Sequence, residues 1–245
     1  MAKEKRICKT GIEELDKLLG GGIPTKSGVL IAGGPGTGKT ILSQQFLFNG
    51  MNEFGENGVY LDLTELKDKV IENLEDFRFY NEDAVEKEKI RILDLKSTAQ
   101  MRKSFFSGPA ERTKMLGHSM ASMIKDVIEE NNAKRLVIDS LTAIYEKFDN
   151  KADMRAFVFE LLSHLNDMDC TSLFISEIHP YKHRYSISGV EEFMLDGIIY
   201  MGGYEYENRL ERTLQILKMR GIAHSMLKQA ILITENGIVL TPIMK

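Results

Sequence analysis

The chain has 245 residues, of which 43% are hydrophobic and 28% are charged, and its formal net charge is −4. This size and composition predict one large α/β domain over residues 1–245, and the charge argues against a protein coated in basic surface for duplex nucleic acid. No apolar run approaches the roughly 20 residues of a membrane span, and two isolated cysteines without a signal-peptide pattern predict a cytoplasmic protein without membrane insertion.

The first predicted element is a short helix over residues 12–19, where apolar residues recur at helical spacing. A triple glycine at 20–22 ends it. No Lys-Ser or Lys-Thr pair follows these glycines. We therefore interpret them as a tight turn into the next strand, and not as a phosphate-binding loop.

The next stretch carries the most specific motif of the chain. Residues 29–32 predict a buried strand, and apolar residues at helical spacing follow from Ile41. Between them lies the pattern Gly, four residues, then Gly-Lys-Thr, which is typical of a phosphate-binding P-loop. The motif consists of Gly33, Gly34, Pro35, Gly36, Thr37, Gly38, Lys39 and Thr40.

The chemistry of phosphate binding explains this pattern. Glycines let several backbone N–H groups approach one anion, and the N-terminus of the following helix adds further donors. Lys39 would reach the β- and γ-phosphates, and the Thr40 hydroxyl would hold Mg²⁺. The alternative is a glycine-rich turn without a ligand, but strand, loop, Lys-Thr pair and helix occur together. The sequence therefore predicts binding of a nucleoside triphosphate.

A second predicted strand, at residues 58–63, is followed by Thr64 and Glu65. In open parallel sheets, ligands lie beyond the carboxyl ends of the strands. Glu65 is thus a candidate for orienting or deprotonating an attacking water. The alternative is that Glu65 only favours the N-terminus of the next helix, with Thr64 as its cap. Position alone does not decide between the two.

The middle of the chain gives weaker signals. Residues 89–94 predict a strand and residues 120–128 a helix, whereas the turn signals and clustered charge of 97–118 predict a loop or an elaboration that contacts a partner. A buried strand over residues 135–139 then ends in Asp139. In P-loop enzymes such an aspartate holds Mg²⁺ opposite the P-loop hydroxyl, so Asp139 is the predicted second half of the metal site.

The last third begins with a predicted helix at 153–168 and a strand at 171–177. The loop at 179–185 interleaves aromatic and basic residues, which suits base stacking and phosphate pairing, but a solvated loop or a subunit contact fits the acidic chain better. Extended runs and an Asn-Gly pair at 236–237 then predict antiparallel hairpins. Considered locally, Lys218, Arg220 and His224 are only exposed charges near a turn.

Together these motifs resemble the KaiC family of RecA-like ATPases, and the resemblance covers essentially the full chain. The matching residues are Thr10, Gly11, Ile12, Leu15 and Asp16, the triple glycine with Ile23 and Pro24, residues 33–40, residues 58–60 with Glu65, residues 137–140, residues 189–193 with Asp196 and Gly197, and residues 218–221 with His224. The chain is similar to the single-domain KaiC-like ATPases of archaea. The implied fold is a RecA-like P-loop core, with a mostly parallel sheet flanked by helices and C-terminal antiparallel hairpins.

The resemblance also implies an ATP site shared between subunits that assemble head to tail, usually in a hexameric ring. One subunit would supply residues 33–40 with Ile41, the candidate base Glu65 and the Mg²⁺ ligand Asp139. Its neighbour would present Lys218 and Arg220 to the γ-phosphate, with His224 near the sugar or base. Physically, such cations act as an arginine finger in trans.

One position departs from the family pattern. KaiC-like proteins commonly carry two adjacent glutamates after the second strand, where this chain has Thr64 followed by Glu65. Glu65 matches the second glutamate, so a candidate base is present. If the first glutamate carries the chemistry, hydrolysis is slow or absent.

Three functions remain in competition. The leading hypothesis is an ATPase whose hydrolysis switches or drives a homo-oligomer that acts on an unidentified protein partner. The second is a nucleotide-sensing scaffold with little or no hydrolysis, which Thr64 favours. The third is a DNA-handling relative of the RecA recombinases, which the loop at 179–185 favours and the acidic balance disfavours.

Overall fold

A computed structural model describes residues 6–94, 109–146, 148, 150–178, 185–186, 189–207 and 209–243, except for the side chains of 109–119. The strands in these ranges are β1 (Ile7–Cys8), β2 (Ile23–Pro24), β3 (Gly28–Gly33), β4 (Gly58–Asp62), β5 (Ile90–Asp94), β6 (Arg135–Asp139), β7 (Thr171–Glu177), β8 (Gly197–Tyr206), β9 (Arg209–Met219), β10 (Gln229–Thr234) and β11 (Gly237–Pro242). The helices in these ranges are α1 (Glu13–Leu18), α2 (Lys39–Phe54), α3 (Lys67–Leu74), α4 (Glu82–Glu86), α5 (Pro109–Asn131), α6 (Leu141–Tyr145), α7 (Lys151–Asp167) and α8 (Glu191–Met194).

Nine of the strands form one mixed sheet in the order β11-β10-β9-β8-β3-β7-β6-β4-β5, and β1 pairs with β2 in a separate antiparallel ribbon. From β5 to β8 all neighbours are parallel, whereas β8, β9, β10 and β11 pair antiparallel. Parallel strands need crossovers, and the helices supply them. The predicted architecture, a parallel sheet continued by antiparallel hairpins, is confirmed.

The two faces of the sheet carry separate apolar cores. Because side chains alternate along a strand, Leu30 and Ala32 of β3 pack on one side with α5, α6 and α7. Val29 and Ile31 pack on the other side with α1, α2, α3 and α4. The P-loop helix α2 therefore lies on the opposite face of the sheet from α7.

Helix α5 begins earlier than the sequence predicts. It starts at Pro109, whereas the predicted helix starts at residue 120 and residues up to 118 are interpreted as a loop. The prediction rests on apolar residues at helical spacing from Met120 onward, and Met120, Met123, Ile124, Val127 and Ile128 are indeed buried. Proline is favoured at the first position of a helix because its missing N–H has no partner there. The rest of that predicted loop, residues 97–108, lies outside the described residues.

The amino end of β6 holds a fully buried cation. Arg135 has 0% exposure, its Nε donates to Glu56 Oε2 at 2.7 Å and its Nη1 donates to the Phe46 carbonyl at 2.8 Å. Its guanidinium also lies over the rings of Phe46 and Phe54, at 4.6 and 5.5 Å from their centroids. A Cβ on Gly50 would meet Arg135 Nε at 2.2 Å, so the glycine makes room for this charge.

Candidate nucleotide site

The predicted P-loop connects the carboxyl end of β3 to α2. Gly36 and Gly38 have φ values of +73° and +97°, which L side chains rarely adopt. A Cβ on Gly33 would meet the Met201 carbonyl oxygen at 2.3 Å, so this glycine is required by packing. A Cβ on Gly34 would meet nothing within 4 Å. The packing of the chain itself does not demand glycine there, and the space next to the Gly34 Cα is open.

Two P-loop side chains turn back onto the loop. Lys39 Nζ donates to the Gly34 carbonyl at 2.8 Å, and Thr37 Oγ1 donates to the same oxygen at 2.9 Å. The Lys39 side chain is almost fully buried, and this burial lowers the pKa of its ammonium, against the fields of Glu177 and Asp139. A buried cation next to a ring of backbone donors fits a phosphate group.

The predicted metal ligands are in direct contact. Thr40 Oγ1 donates to Asp139 Oδ2 at 2.8 Å, and the buried Tyr60 hydroxyl donates to the same oxygen at 2.9 Å. Burial and, second, the neighbouring Asp62 raise the pKa of the Asp139 carboxyl to about 6, although both hydroxyls oppose the shift. Asp62 is beside Asp139 because these two residues are register partners in β4 and β6.

This donor set fits Mg²⁺. The ion prefers hard oxygen ligands and usually takes only one or two carboxylates from the protein, with substrate phosphates and water completing its shell. The pair of Thr40 hydroxyl and Asp139 carboxylate meets that requirement.

Glu65 lies at the same edge, held through its backbone. Asp62 Oδ1 accepts from the Glu65 N–H at 2.7 Å, the Thr64 N–H at 2.8 Å and the Thr64 hydroxyl at 2.9 Å. The Glu65 side chain is exposed, and its Oε2 accepts from Asn73 Nδ2 at 3.4 Å. Thr64 is not the cap of the next helix, because the cap position of α3 is Leu66. The role of Glu65, as a base or only as a charge near the N-terminus of α3, stays a prediction.

Sequence reasoning missed three residues at this edge. Arg212 of β9 donates from Nε to the Gly36 carbonyl at 2.8 Å, so a second cation touches the P-loop. The other two are Tyr60 and Asp62, described above. Asp62 has one local signal, a carboxylate at the end of a buried strand. Tyr60 lies in the middle of the same strand and has no polar position to mark it. Arg212 gives no local signal, since its partner is 176 positions away.

The C-terminal hairpin, β10 and β11, is hydrogen-bonded to the P-loop helix α2. The backbone N–H of Ile238 donates to Gln45 Oε1 at 2.7 Å, and Gln45 Nε2 donates to the Asn236 carbonyl at 3.3 Å. A Cβ on Gly38 would lie 3.2 Å from Ile233 Cδ1. The last two strands of the chain thus contact both the P-loop, at Gly38, and its helix, at Gln45.

The predicted cations of the last third do not reach this P-loop. Lys218 is the register partner of Ile198, which pairs with Leu30, three residues before Gly33. At about 3.3 Å per residue, Lys218 lies roughly 10 Å short of the loop along the strands. Its partner Ile198 also belongs to the core on the face away from α2. Arg220 lies farther still along the same strand direction.

Instead, both cations contact the segment around α8. Lys218 Nζ donates to the carbonyls of Glu192 and Leu195 at 2.9 and 2.6 Å. Burial, then the nearby Arg220, lowers the pKa of Lys218. Arg220 Nη2 donates to the Phe193 carbonyl at 2.8 Å, and its side chain is half exposed.

The remaining candidates are only partly described. His224 is half-buried, and its Nε2 has no hydrogen-bond partner among the described atoms. Of the loop at 179–185, residues 179–184 lie outside the described residues, and the Tyr185 ring packs edge-on against Tyr200 at 5.5 Å. Nucleic-acid binding therefore stays a prediction. Within the described ranges, no helix combines the length and hydropathy needed to cross a membrane.

Comparison with known proteins agrees with this geometry. A family model described as "ATPase: KaiC" matches residues 8–245. A UPF0273 protein of Thermotoga maritima is 40% identical over 97% of this chain and 96% of its own length. A crystal structure of a KaiC-like protein from the hyperthermophilic archaeon Pyrococcus horikoshii superposes with a TM-score of 0.83 and 32% identity, covering 98% of this chain and all of that one.

The circadian clock oscillator protein KaiC of Synechococcus elongatus is 30% identical over 96% of this chain. The match spans 44% of that protein, so this chain corresponds to less than half of it. Sequence, fold and P-loop geometry agree, and the chain belongs to the KaiC ATPase family.

Proposed function

We propose that this chain is a single ATPase domain that hydrolyses ATP at sites shared between the subunits of a head-to-tail homo-oligomer. The observation that carries the proposal is the hydrogen bond from the Thr40 hydroxyl to Asp139 at the end of the P-loop. It brings the two protein ligands expected for Mg²⁺ to one point, next to a buried lysine. Family membership supports the same assignment.

Each P-loop residue has its own proposed contact with ATP or Mg²⁺. The backbone of residues 33–40 and Ile41 surrounds the phosphates, and Lys39 exchanges the Gly34 carbonyl for oxygens of the β- and γ-phosphates. Thr40 and Asp139 hold Mg²⁺, which when bound neutralises charge that develops on the transferred phosphoryl group. Because Lys39 is already buried and desolvated, its charge interacts strongly with a phosphate.

Glu65 is the proposed base that orients the attacking water. Its backbone is fixed by Asp62, and its exposed side chain can move from Asn73 to a water at the carboxyl edge of the sheet. The base acts only when it comes within hydrogen-bond distance of that water. Thr64, whose hydroxyl donates to Asp62, contributes no second carboxylate.

The cations Lys218 and Arg220 serve the γ-phosphate of a neighbouring subunit. The register of β3, β8 and β9 keeps Lys218 about three residues short of the P-loop of its own chain, on the face away from α2, and Arg220 lies farther along the chain. A head-to-tail contact places one surface of a subunit against a different surface of the next. In that arrangement His224 lies near the neighbour's sugar or base.

The test is phosphate release from Mg-ATP over a range of protein concentrations. Turnover should rise with assembly, and Lys39→Ala should abolish it. Arg220→Ala should lower the rate while leaving ATP binding largely intact, because a finger acts mainly in the transition state. The matched control is Arg209→Ala, which changes an exposed arginine at the start of β9, the strand that ends just before Arg220, and it should behave like the parent. Unchanged turnover in Lys39→Ala would refute the proposal.

A second candidate function is a nucleotide-sensing scaffold. The position of Thr64 supports it, because the hydroxyl there is bonded to Asp62 and the neighbouring Glu65 side chain contacts α3. Assembly that depends on ATP, combined with negligible phosphate release, would decide for the scaffold. Thr64→Glu should then raise phosphate release.

A further inference from the structure

The short helix α8 holds both proposed finger cations. The last turn of a helix leaves carbonyl groups without partners in the helix itself. Lys218 Nζ donates to the carbonyls of Glu192 and Leu195, and Arg220 Nη2 donates to that of Phe193. The location of α8 therefore sets the location of both charges. An ammonium has three N–H donors, so two carbonyls can hold Lys218 without exhausting its capacity for a phosphate.

Among the described residues, the Glu192 side chain bonds the same helix to the segment that precedes it. Glu192 Oε1 accepts from the Tyr185 N–H at 2.8 Å and from the Ser186 hydroxyl at 3.0 Å. The Ser186 hydroxyl in turn accepts from the Gly189 N–H at 3.0 Å. Glu192 is thus bonded at both ends, through its carboxylate to residues 185–186 and through its carbonyl to Lys218.

One of the two cations, Arg220, is accessible from outside the subunit. The Arg220 side chain is 53% exposed, and the neighbouring Phe193 side chain is 76% exposed. Asp196 holds the other side of Arg220, with its carboxylate 3.5 Å from Nη1 and its carbonyl accepting from the Arg220 N–H at 2.9 Å. The Arg220 charge is therefore fixed at the surface, and Lys218 lies half-buried next to it.

We infer that Glu192 is a positioning residue for Lys218 and Arg220, which it holds through α8 in the place from which a neighbouring subunit's nucleotide receives them. The inference rests on the proposed shared site. Its physical reason is that a displacement of about 1 Å of a catalytic group can cost on the order of 100-fold in rate. Without the Glu192 carboxylate, α8 loses the bonds to residues 185–186 and the cations lose a fixed support.

The experiment separates the subunit that binds ATP from the one that donates the cations. Lys39→Ala subunits supply intact cations but no working P-loop, and Arg220→Ala subunits supply an intact P-loop. Co-expressed with different tags, they should recover phosphate release that neither has alone. At equal mixing, about a quarter of the head-to-tail contacts pair an intact P-loop with intact cations. Loss of this recovery would refute the proposed shared site itself.

Glu192 is then changed only in the cation donor. Lys39→Ala/Glu192→Gln keeps an oxygen that accepts from Tyr185 and Ser186, and it should restore the rate as well as the Lys39→Ala donor does. Lys39→Ala/Glu192→Ala should restore it at least about tenfold less. The KM for ATP should stay unchanged, because the nucleotide is bound by the unmodified P-loop of the other subunit.

Two results would overturn the inference while leaving the shared site intact. One is equal recovery with the Glu192→Ala and Glu192→Gln donors. The other is a Glu192→Ala donor that no longer assembles with Arg220→Ala subunits in sedimentation, since Glu192 would then serve the subunit contact and not the cations.

Discussion

Strand β6 carries a buried charge at each end, and the two are compensated in different ways. Arg135 at its amino end is bonded to the Glu56 carboxylate and the Phe46 carbonyl and lies against two aromatic rings. Among the described residues, the Asp139 carboxylate at its carboxyl end accepts from two neutral hydroxyls, and the neighbouring Asp62 raises its pKa more than the nearby Lys39 lowers it. A charge that the chain neutralises by itself serves the fold. A buried carboxylate left next to another one is suited to receive a cation.

The largest effect is expected at the amino end. Arg135→Met leaves Glu56 and the Phe46 carbonyl without their buried partner, so the free energy of unfolding should fall by about 4 kcal/mol. Urea denaturation measures it. Lys134→Met is the matched control, because Lys134 makes a half-exposed ion pair with Asp169 at 3.1 Å. This variant should lower the free energy of unfolding by less than about 1 kcal/mol. Similar losses for both variants would refute the assignment of Arg135 to the fold.

At the carboxyl end, stability and activity should change in opposite directions. Asp139→Asn removes a buried charge but still offers an oxygen to Thr40 and Tyr60. We expect it to lower phosphate release on the order of 100-fold, because a bound metal supplies several kcal/mol of transition-state stabilisation. Without Mg²⁺ at pH 7, its free energy of unfolding should equal or exceed that of the parent. A clear loss of stability would contradict the comparison.

The same carboxylate predicts a pH dependence. The pKa of Asp139 is raised from 3.8 to about 6 in the folded chain, so the folded state binds this proton more tightly than the unfolded state. The contribution of Asp139 to the free energy of unfolding should therefore fall by about 2–3 kcal/mol as the pH rises from about 4 to about 6, and then level off. The measurement is the difference between parent and Asp139→Asn at each pH without Mg²⁺. A flat difference would show that the carboxyl titrates normally.

The smallest change removes one hydroxyl. Tyr60→Phe keeps the ring but takes away the donor to Asp139 Oδ2, so the carboxylate is less well oriented. Partners of this kind typically change metal affinity by about 10-fold or more. We expect a tenfold higher Mg²⁺ concentration for half-maximal phosphate release, and a matching shift in the Mg²⁺ dependence of thermal stabilisation by ATP. Tyr204→Phe, on an exposed part of β8, should change neither.

The comparison also explains what the sequence can predict. The P-loop and Asp139 are predicted because a glycine pattern and a carboxylate after an apolar run are both local signals. Arg135 is the opposite case, since its burial depends on Glu56 and on the space above Gly50, which no local pattern reports. The bond from Tyr60 to Asp139 is not predictable from the sequence either, because a tyrosine within a buried strand resembles an ordinary core residue.

The proposed role of the two cations rests on the family resemblance together with the strand register. The family resemblance implies that Lys218 and Arg220 serve a neighbour's nucleotide, and the strand register supports this by placing Lys218 short of the P-loop of its own chain. Their bonds to α8 depend on a side-chain-to-carbonyl contact across more than 20 residues, which spacing in the sequence does not encode.

The bond between Gln45 and Ile238 has a consequence for the order in which the site is completed during synthesis. The P-loop helix leaves the ribosome early, but its partner in this bond is 193 residues later. The side chain of Ile233, which packs against Gly38, also arrives late. A nascent chain therefore holds the whole glycine motif long before it has the support beneath it. A chain ended before Gln229 should bind ATP more weakly than the parent in equilibrium titration. Nascent chains would therefore bind ATP only weakly until the hairpin of β10 and β11 has formed.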